Sequence, residues 1–311
     1  MKSVHESLEK FLEERKIPLQ LEAKFDDWLQ NPAFLSWWQN HPEWSREELL
    51  RYISQIRQFV EEQQNCEVCK GLTGCKNMMR GHFSEIDQYG KMLDLAYTAC
   101  YYQQQENLEL GRKELIKSHH IPKEILTSSF SDFDHSDDGR LDAFNAVMEF
   151  CLKANPGKDP VGLYLYGPLG AGKSFLIGAA CNKLASRGIG SYMVYSPDFF
   201  REMKSAIADQ TVDEKLQALK EIPVLIFDDI GAESITAWAR DEVLGTILQY
   251  RMMEKLPTLY TSNYNYDQLE DHLSYSSKGG IEQLKAKRIM ERIRHYTDAY
   301  FVDGKNRRVR R

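Results

Sequence analysis

The run GPLGAGKS, Gly167 to Ser174, sets two glycines, a lysine and a hydroxyl at the spacing G-x-x-x-x-G-K-[ST]. Such a loop wraps phosphate oxygens in backbone N–H groups at a helix N-terminus. Its lysine reaches the β- and γ-phosphates and its hydroxyl holds Mg²⁺. Gly167, Pro168, Leu169, Gly170, Ala171, Gly172, Lys173, Ser174 and Phe175 are therefore the candidate nucleotide-binding residues. A second run, VLIFDDI, Val224 to Ile230, is an apolar stretch ending in two carboxylates. Asp228 is suited to support the Mg²⁺, and Asp229 to orient or deprotonate the attacking water. TLYTSN, Thr258 to Asn263, is a third short apolar run, and Asn263 at its end is a candidate contact to the γ-phosphate or the lytic water.

The cysteines suggest different chemistry. CEVCKGLTGC groups Cys66, Cys69 and Cys75, and Cys100 ends FSEIDQYGKMLDLAYTAC, a hairpin-like segment with Gly90 at its turn. A Cys-x-x-Cys knuckle offers two thiolates to one tetrahedral Zn²⁺, and a hairpin returning Cys100 would complete a four-cysteine shell. His82 is an alternative to Cys75, and thiols scattered in a small core are the competing reading. A closed shell is structural and steadies a domain short of core. Cys151 and Cys181 sit in apolar helical stretches and are expected in the core.

The elements that carry these residues can be read from periodicity. Leu8, Phe11 and Leu12 share a helical face, as do Leu49, Ile53, Ile56 and Val60, with Ser45 and Glu48 as a capping box opening the second helix. Trp28, Trp37, Trp38 and Trp44 crowd the stretch between. They serve either helix packing or a partner surface, where Trp is enriched. From about Val161 strands and helices alternate. Strands are expected at Gly162–Tyr166, Ser191–Ser196, Val224–Asp228, Thr258–Ser262 and Tyr300–Val302, with helices such as Ser174–Arg187 and Trp238–Glu254 between them. This is an α/β pattern with a parallel sheet flanked by helices. SPDFFREMKSAIADQTVDEKLQALKEI reads as two short helices inserted between strands.

The domains expected are a mostly helical, zinc-binding unit at 1–103, a polar linker at 104–135 and a P-loop domain at 136–311. The N-terminus is charged and lacks an apolar core of the signal-peptide kind, so the expected location is cytoplasmic, with no membrane. There the cysteines are reduced or metal-bound. The net charge of −6 excludes a generally basic nucleic-acid coat. From Lys285 to Arg311, however, ten Lys/Arg stand against three Asp/Glu, a localised phosphate-contacting surface.

The order GPLGAGKS, VLIFDDIGAES, TLYTSN, KAKRIMERI and basic tail resembles the AAA+ ATPases, and within them the DnaC-like replicative helicase loaders of bacteria. Loaders of this kind also carry a cysteine-containing N-terminal domain. The resemblance implies an ATPase, weak and stimulated by assembly or DNA, that uses ATP and Mg²⁺ beside the structural Zn²⁺. Its implied partners are the hexameric replicative helicase, on which it oligomerises, single-stranded DNA and other primosome proteins. Delivery of the helicase to DNA during replication initiation or restart is the implied function; a transposition-type AAA+ ATPase acting on DNA is the alternative. Asn263 matches sensor I, Arg308 in GKNRR matches sensor II, and Arg288 or Arg292 matches the arginine finger, with Arg292 favoured. Phe199, Phe200, Arg201 and Lys204 fall where the family lines the DNA path. Two departures stand out: Asp229 replaces the usual Glu, and 23 residues after Arg288 are too few for the usual helical lid. Both suit a switch more than a motor.

Overall fold

The computed structural model describes residues 19–134, 138–276, 280–304 and 306. Leu8, Phe11, Leu12 and Arg308 lie outside the described residues. The chain divides into two units, Met1–Glu109 and Leu110–Arg311.

In the first unit, helices α1 (Leu19–Leu29), α2 (Pro32–Gln39), α3 (Arg46–Leu50) and α4 (Ile53–Glu67) precede an antiparallel hairpin, β1 (His82–Tyr89) and β2 (Met92–Ala99). Asn31 caps α2 by accepting from the N–H groups of Ala33 and Phe34, and Pro32 fits the first turn, where no N–H is needed. The expected capping box of Ser45 and Glu48 is present. The helix it opens is shorter than expected: the chain pauses at Arg51 and Tyr52 and restarts at Ile53. Leu49, Ile56 and Val60 still share one buried cluster with Phe25, Leu29, Phe34, Phe59 and Leu93. Trp44 is buried in that cluster, and Trp28, Trp37 and Trp38 pack half-buried against it. Trp38 Nε1 donates to the Trp44 carbonyl at 2.8 Å and Trp44 Nε1 to Gln88 Oε1 at 3.1 Å, so these two indoles also satisfy their polar tips. Trp44 is thus core, and Trp28, Trp37 and Trp38 stand at the core margin, each partly exposed.

Helix α5 (Tyr101–Glu114) follows, and then β3 (Ile116–His119) and the short α6 (Lys123–Leu126). This corrects the expected linker. Residues 116–119 pair in parallel with the strand Ser191–Tyr195, as an edge of the main sheet.

The second unit holds a six-stranded parallel sheet in the order β10-β4-β7-β6-β5-β3. Its remaining strands are β4 (Gly162–Tyr166), β5 (Ser191–Tyr195), β6 (Val224–Asp228), β7 (Thr258–Ser262) and β10 (Thr297–Phe301). A short antiparallel pair, β8 (Tyr275–Ser276) and β9 (Gly280–Ile281), lies outside the sheet. The main strands read as apolar runs because both faces are covered. Alternation sends Tyr164, Val194, Leu225, Phe227 and Tyr260 to one face, and Leu163, Leu165, Met193, Val224, Ile226 and Leu259 to the other.

The second of these faces is covered by α7 (Asp138–Lys153) and α8 (Lys173–Ala185), with Cys151 and Cys181 in its core as expected. The first is covered by α9 (Ser196–Ala206), α10 (Val212–Glu221), a π-helical turn (Ala239–Leu244), α11 (Gly245–Met253), α12 (Tyr266–Ser274) and α13 (Gln283–His295). The expected helix pair in the insertion is therefore present as α9 and α10. Phe199 and Phe200, however, are both buried and ring-packed on Phe227, so neither can stack a DNA base. Strand β10 begins three residues earlier than expected, at Thr297. Among the described residues, no helix is long and apolar enough to cross a membrane.

Candidate active site

The sheet order decides the geometry. Strand β7 separates β4, which carries the glycine loop, from β6, which carries the two carboxylates. Asn263, at the end of β7, therefore stands between Lys173 and Asp229. The Lys173 ammonium donates to Asn263 Oδ1 at 3.0 Å, and to the carbonyls of Gly167 and Pro168 at 2.7 and 2.9 Å. Asn263 Nδ2 donates to Asp229 Oδ1 at 3.0 Å. Thr261 closes the chain of contacts: its hydroxyl accepts from the Asp229 N–H at 2.9 Å and donates to Asp228 Oδ1 at 2.6 Å. Asp229 takes a left-handed backbone with φ +57°, uncommon for a residue other than glycine, and follows the buried Asp228.

Gly172 opens α8 at φ +98°. A Cβ there would stand 2.8 Å from Arg140 Nη2 and 3.3 Å from the Phe133 ring, so the position requires glycine twice over. Arg140 lies over the Phe133 ring at 4.2 Å. The segment after β3 is fastened beside this loop. Gly178 lets α8 approach the Ile125 carbonyl, which a Cβ would meet at 2.1 Å. Asn182 donates to the carbonyls of Leu126 and Ser128 at 2.8 and 3.0 Å, and the Ser128 hydroxyl donates to the Phe175 carbonyl at 2.9 Å. The result is a cleft of about 720 Å³. Leu169, Gly170, Gly172, Lys173, Ser174, Phe175, Asp228, Asp229 and Asn263 line it, together with Ile121, Pro122, Phe133 and Arg140 opposite.

A polar loop thus faces a mixed wall, in which Ile121, Pro122 and Phe133 stand among the charged Glu124, Asp132 and Arg140; phosphates suit the loop and a base suits the apolar part of the wall. Thr261, Phe133 and Arg140 escape sequence reasoning. Thr261 has only its place two residues before Asn263 as a signal, and the wall residues carry no motif.

Behind the carboxylates, Glu233 is buried and accepts from the Gly231 N–H at 2.9 Å, bracing the turn that succeeds Asp229. Burial pushes its carboxyl up to about 7, and the charge of Asp229 adds to this. His272 stands 4.0 Å away, its pKa lowered by burial.

Arg288 and Arg292 lie on α13 and do not line the cleft. Arg288 is exposed, whereas Arg292 is half-buried and donates to the Gly245 carbonyl at 3.1 Å. Asn306 lies beside the glycine loop: its Oδ1 would be 2.0 Å from a Cβ at Gly170.

In the first unit, Cys66 lies in the last turn of α4 and Cys69 just beyond it. Cys75 comes after a 3₁₀ turn and Cys100 after β2. The four are neighbours. Burial pushes the Cys66 thiol up, and Cys69, Cys75 and Cys100 add to the effect. Asn77 Nδ2 approaches Cys66 Sγ at 3.3 Å, and the N–H groups of Gly71 and Gly81 point at Cys69 and Cys75 sulfurs at 3.5 and 3.4 Å. Sulfurs with N–H donors beside them are a set of the kind that holds a structural metal ion. The sulfurs are less closely drawn than the group His119, His120 and Glu202, whose ligand atoms all lie within 4.8 Å of one another. His82 Nδ1 is 3.0 Å from the Arg80 carbonyl oxygen.

Known proteins share these features. Residues 1–97 match the family model for the primosomal protein DnaI N-terminus, and residues 128–311 match that for IstB-like ATP binding protein. The chain is 40% identical over 256 residues to the replicative helicase loader DnaI of Bacillus subtilis (strain 168), covering 82% of each. A crystal structure of DnaI is 48% identical with a TM-score of 0.56, over 63% of this chain and 98% of that one. The DnaC helicase loader structure, 19% identical with a TM-score of 0.50 over 58% of this chain and 100% of that one, shares the fold. With an ATP-binding domain of the IstB-like type joined to a DnaI-type N-terminal unit, the chain belongs to the DnaI family of replicative helicase loaders.

Proposed function

We propose that this chain is an ATP-hydrolysing loader that binds the hexameric replicative helicase and delivers it to single-stranded DNA. The observation that carries this reading is the continuous path Lys173–Asn263–Asp229–Thr261–Asp228 in one cleft, on a chain whose residues 1–97 match a DnaI N-terminus. That match also favours loading over transposition, which the IstB-like half alone would fit equally well.

The loop N–H groups and Lys173 hold the phosphates. Ser174 and Asp228 line the same cleft and offer the hard oxygen donors that Mg²⁺ takes; the ion would neutralise phosphate charge there. Asp229, oriented by Asn263, aligns the attacking water, and its short side chain suits slow turnover. Asn263 couples that carboxylate to the phosphate-binding ammonium, the task of a sensor. Arg308 takes the sensor II role that its place in GKNRR implies. Arg201 and Lys204, exposed on α9, supply phosphate contacts to DNA. The first unit grips the helicase, and Cys66, Cys69, Cys75 and Cys100 hold a structural Zn²⁺ that secures it.

The direct test mixes the full chain with the same organism's replicative helicase and ATP and reads complex mass by light scattering. A stable complex is expected, and its absence overturns the loader reading. Arg288 is the finger, because Arg292 is engaged with the Gly245 carbonyl. Arg288→Ala should therefore lower assembly-stimulated hydrolysis about 10³-fold or more without changing nucleotide affinity. Arg292→Ala should chiefly lower the melting temperature. The reverse pattern in phosphate-release and melting measurements reassigns the role.

A further inference from the structure

We propose that His119, His120 and Glu202 form a binding site for a divalent transition ion of the zinc class, separate from the cysteine group and beside the nucleotide cleft. Their ligand atoms all lie within 4.8 Å of one another. His119 Nε2 is 3.0 Å from Glu202 Oε2, and His120 Nε2 is 2.6 Å from Glu202 Oε1. One carboxylate therefore spans two imidazoles, whose rings meet at 4.4 Å.

Adjacent residues of an extended strand point to opposite faces, so two successive histidines at a strand end do not ordinarily share a partner. Here β3 ends at His119, and His120 turns at φ +57°. That left-handed residue breaks the alternation and brings both rings to Glu202 on α9. Non-glycine residues seldom adopt this conformation, so the surrounding contacts must hold it.

The donor set selects the ion. Two imidazoles and one carboxylate suit zinc, nickel or copper, whereas magnesium and calcium prefer oxygen alone.

Asp198 Oδ2 lies 3.8 Å from His120 Nδ1, beyond hydrogen-bond reach, and the same carboxylate is paired with Arg201. Lys215 Nζ, 3.7 Å from Glu202 Oε2, is the opposing charge and has room to withdraw along a neighbouring cavity of about 340 Å³. His119 and Glu202 line that cavity, while His120 and Asp198 line the nucleotide cleft. Three protein ligands leave a coordination position open to water or to a group entering the cavity. Occupancy would tie the wall of the nucleotide cleft to α9.

The test titrates Zn²⁺ alone, against a chromophoric chelator, into the tag-free full-length chain and its H119Q/H120Q and E202Q variants. Wild type should bind one equivalent more than H119Q/H120Q; taking the difference removes whatever the cysteines hold. E202Q should weaken that equivalent by more than about tenfold, the cost of losing even an outer-sphere partner. Equal stoichiometry in wild type and H119Q/H120Q overturns the site. Loss in H119Q/H120Q with E202Q unchanged also overturns it, leaving only a surface histidine pair. Should a variant fail to fold, Co²⁺ on the wild-type chain decides. One equivalent giving visible d–d bands without thiolate charge transfer supports the site, and thiolate charge transfer from every bound ion overturns it.

Discussion

Lys173→Ala should bring ATP hydrolysis down by about 10²–10³-fold or more while leaving the chain folded. The ammonium is the only cation among the described residues bonded at once to the glycine loop and to Asn263. Preorganised donors of this kind, aimed at developing phosphate charge in a shielded site, are worth about 3–4 kcal/mol each. Lys173 is 7% exposed, so its charge is little screened by solvent. The substitution also releases Asn263 Oδ1 and thereby loosens the hold of Asn263 Nδ2 on Asp229. Water alignment and phosphate binding should fail together. Alanine is the best helix former and Lys173 is the first residue of α8, so the fold should tolerate the change. Phosphate release, nucleotide binding and a melting curve check this together. Full hydrolysis in a folded variant would show that the cleft is not the catalytic site.

That expectation rests on residues legible in the sequence. Gly167 to Ser174 and Val224 to Asp229 announce themselves because parallel strands buried on both faces read as unbroken apolar runs, so the polar residues at the end of each run are conspicuous. Thr261 is not legible. It lies inside the run TLYTS, and its hydroxyl matters only because β6 and β7 are neighbours. Strand β3 escapes for another reason: IKSH is four residues long, polar at three of them and on an edge, where one-sided pairing needs no apolar run. The wall at 120–134 likewise takes its role from Gly178 and Asn182 on α8, not from a motif of its own. Phe199 and Phe200 mislead because neighbours in sequence suggest one residue in and one out. On a helix they are only about 100° apart, and a broad buried face takes both. Leu49 and Ile56 keep their shared face across the break at Arg51 and Tyr52, so periodicity forecasts burial better than it forecasts the extent of the helix.

Glu233→Gln should change the pH dependence of stability more than stability at acid pH. Burial raises the Glu233 carboxyl from an ordinary 4.5 to about 7, so the fold favours its protonated form. The associated stability is fully present below about pH 4.5 and is lost as the pH rises through about 7. Above pH 8 the folded state carries the whole penalty of a buried carboxylate, about 3 kcal/mol at about 1.4 kcal/mol per pH unit. Glutamine keeps an oxygen to accept the Gly231 N–H and carries no charge, so the brace behind Asp229 survives while the penalty does not. His272 works in the opposite sense. Its lowered pKa costs stability as the pH falls below about 6.5, but it is present in both chains and largely cancels from the difference. Paired melting curves at pH 5 and pH 8 should show the variant gaining on wild type by up to about 3 kcal/mol at the higher pH. Curves that stay parallel would mean that Glu233 is ionised in the fold at both values and that His272, 4.0 Å away, holds it so as a charged pair. Glu233→Ala separates the brace from the charge. It removes the penalty too, but leaves the Gly231 N–H without its acceptor. If that turn positions Asp229, hydrolysis should fall in the alanine variant and persist in the glutamine one.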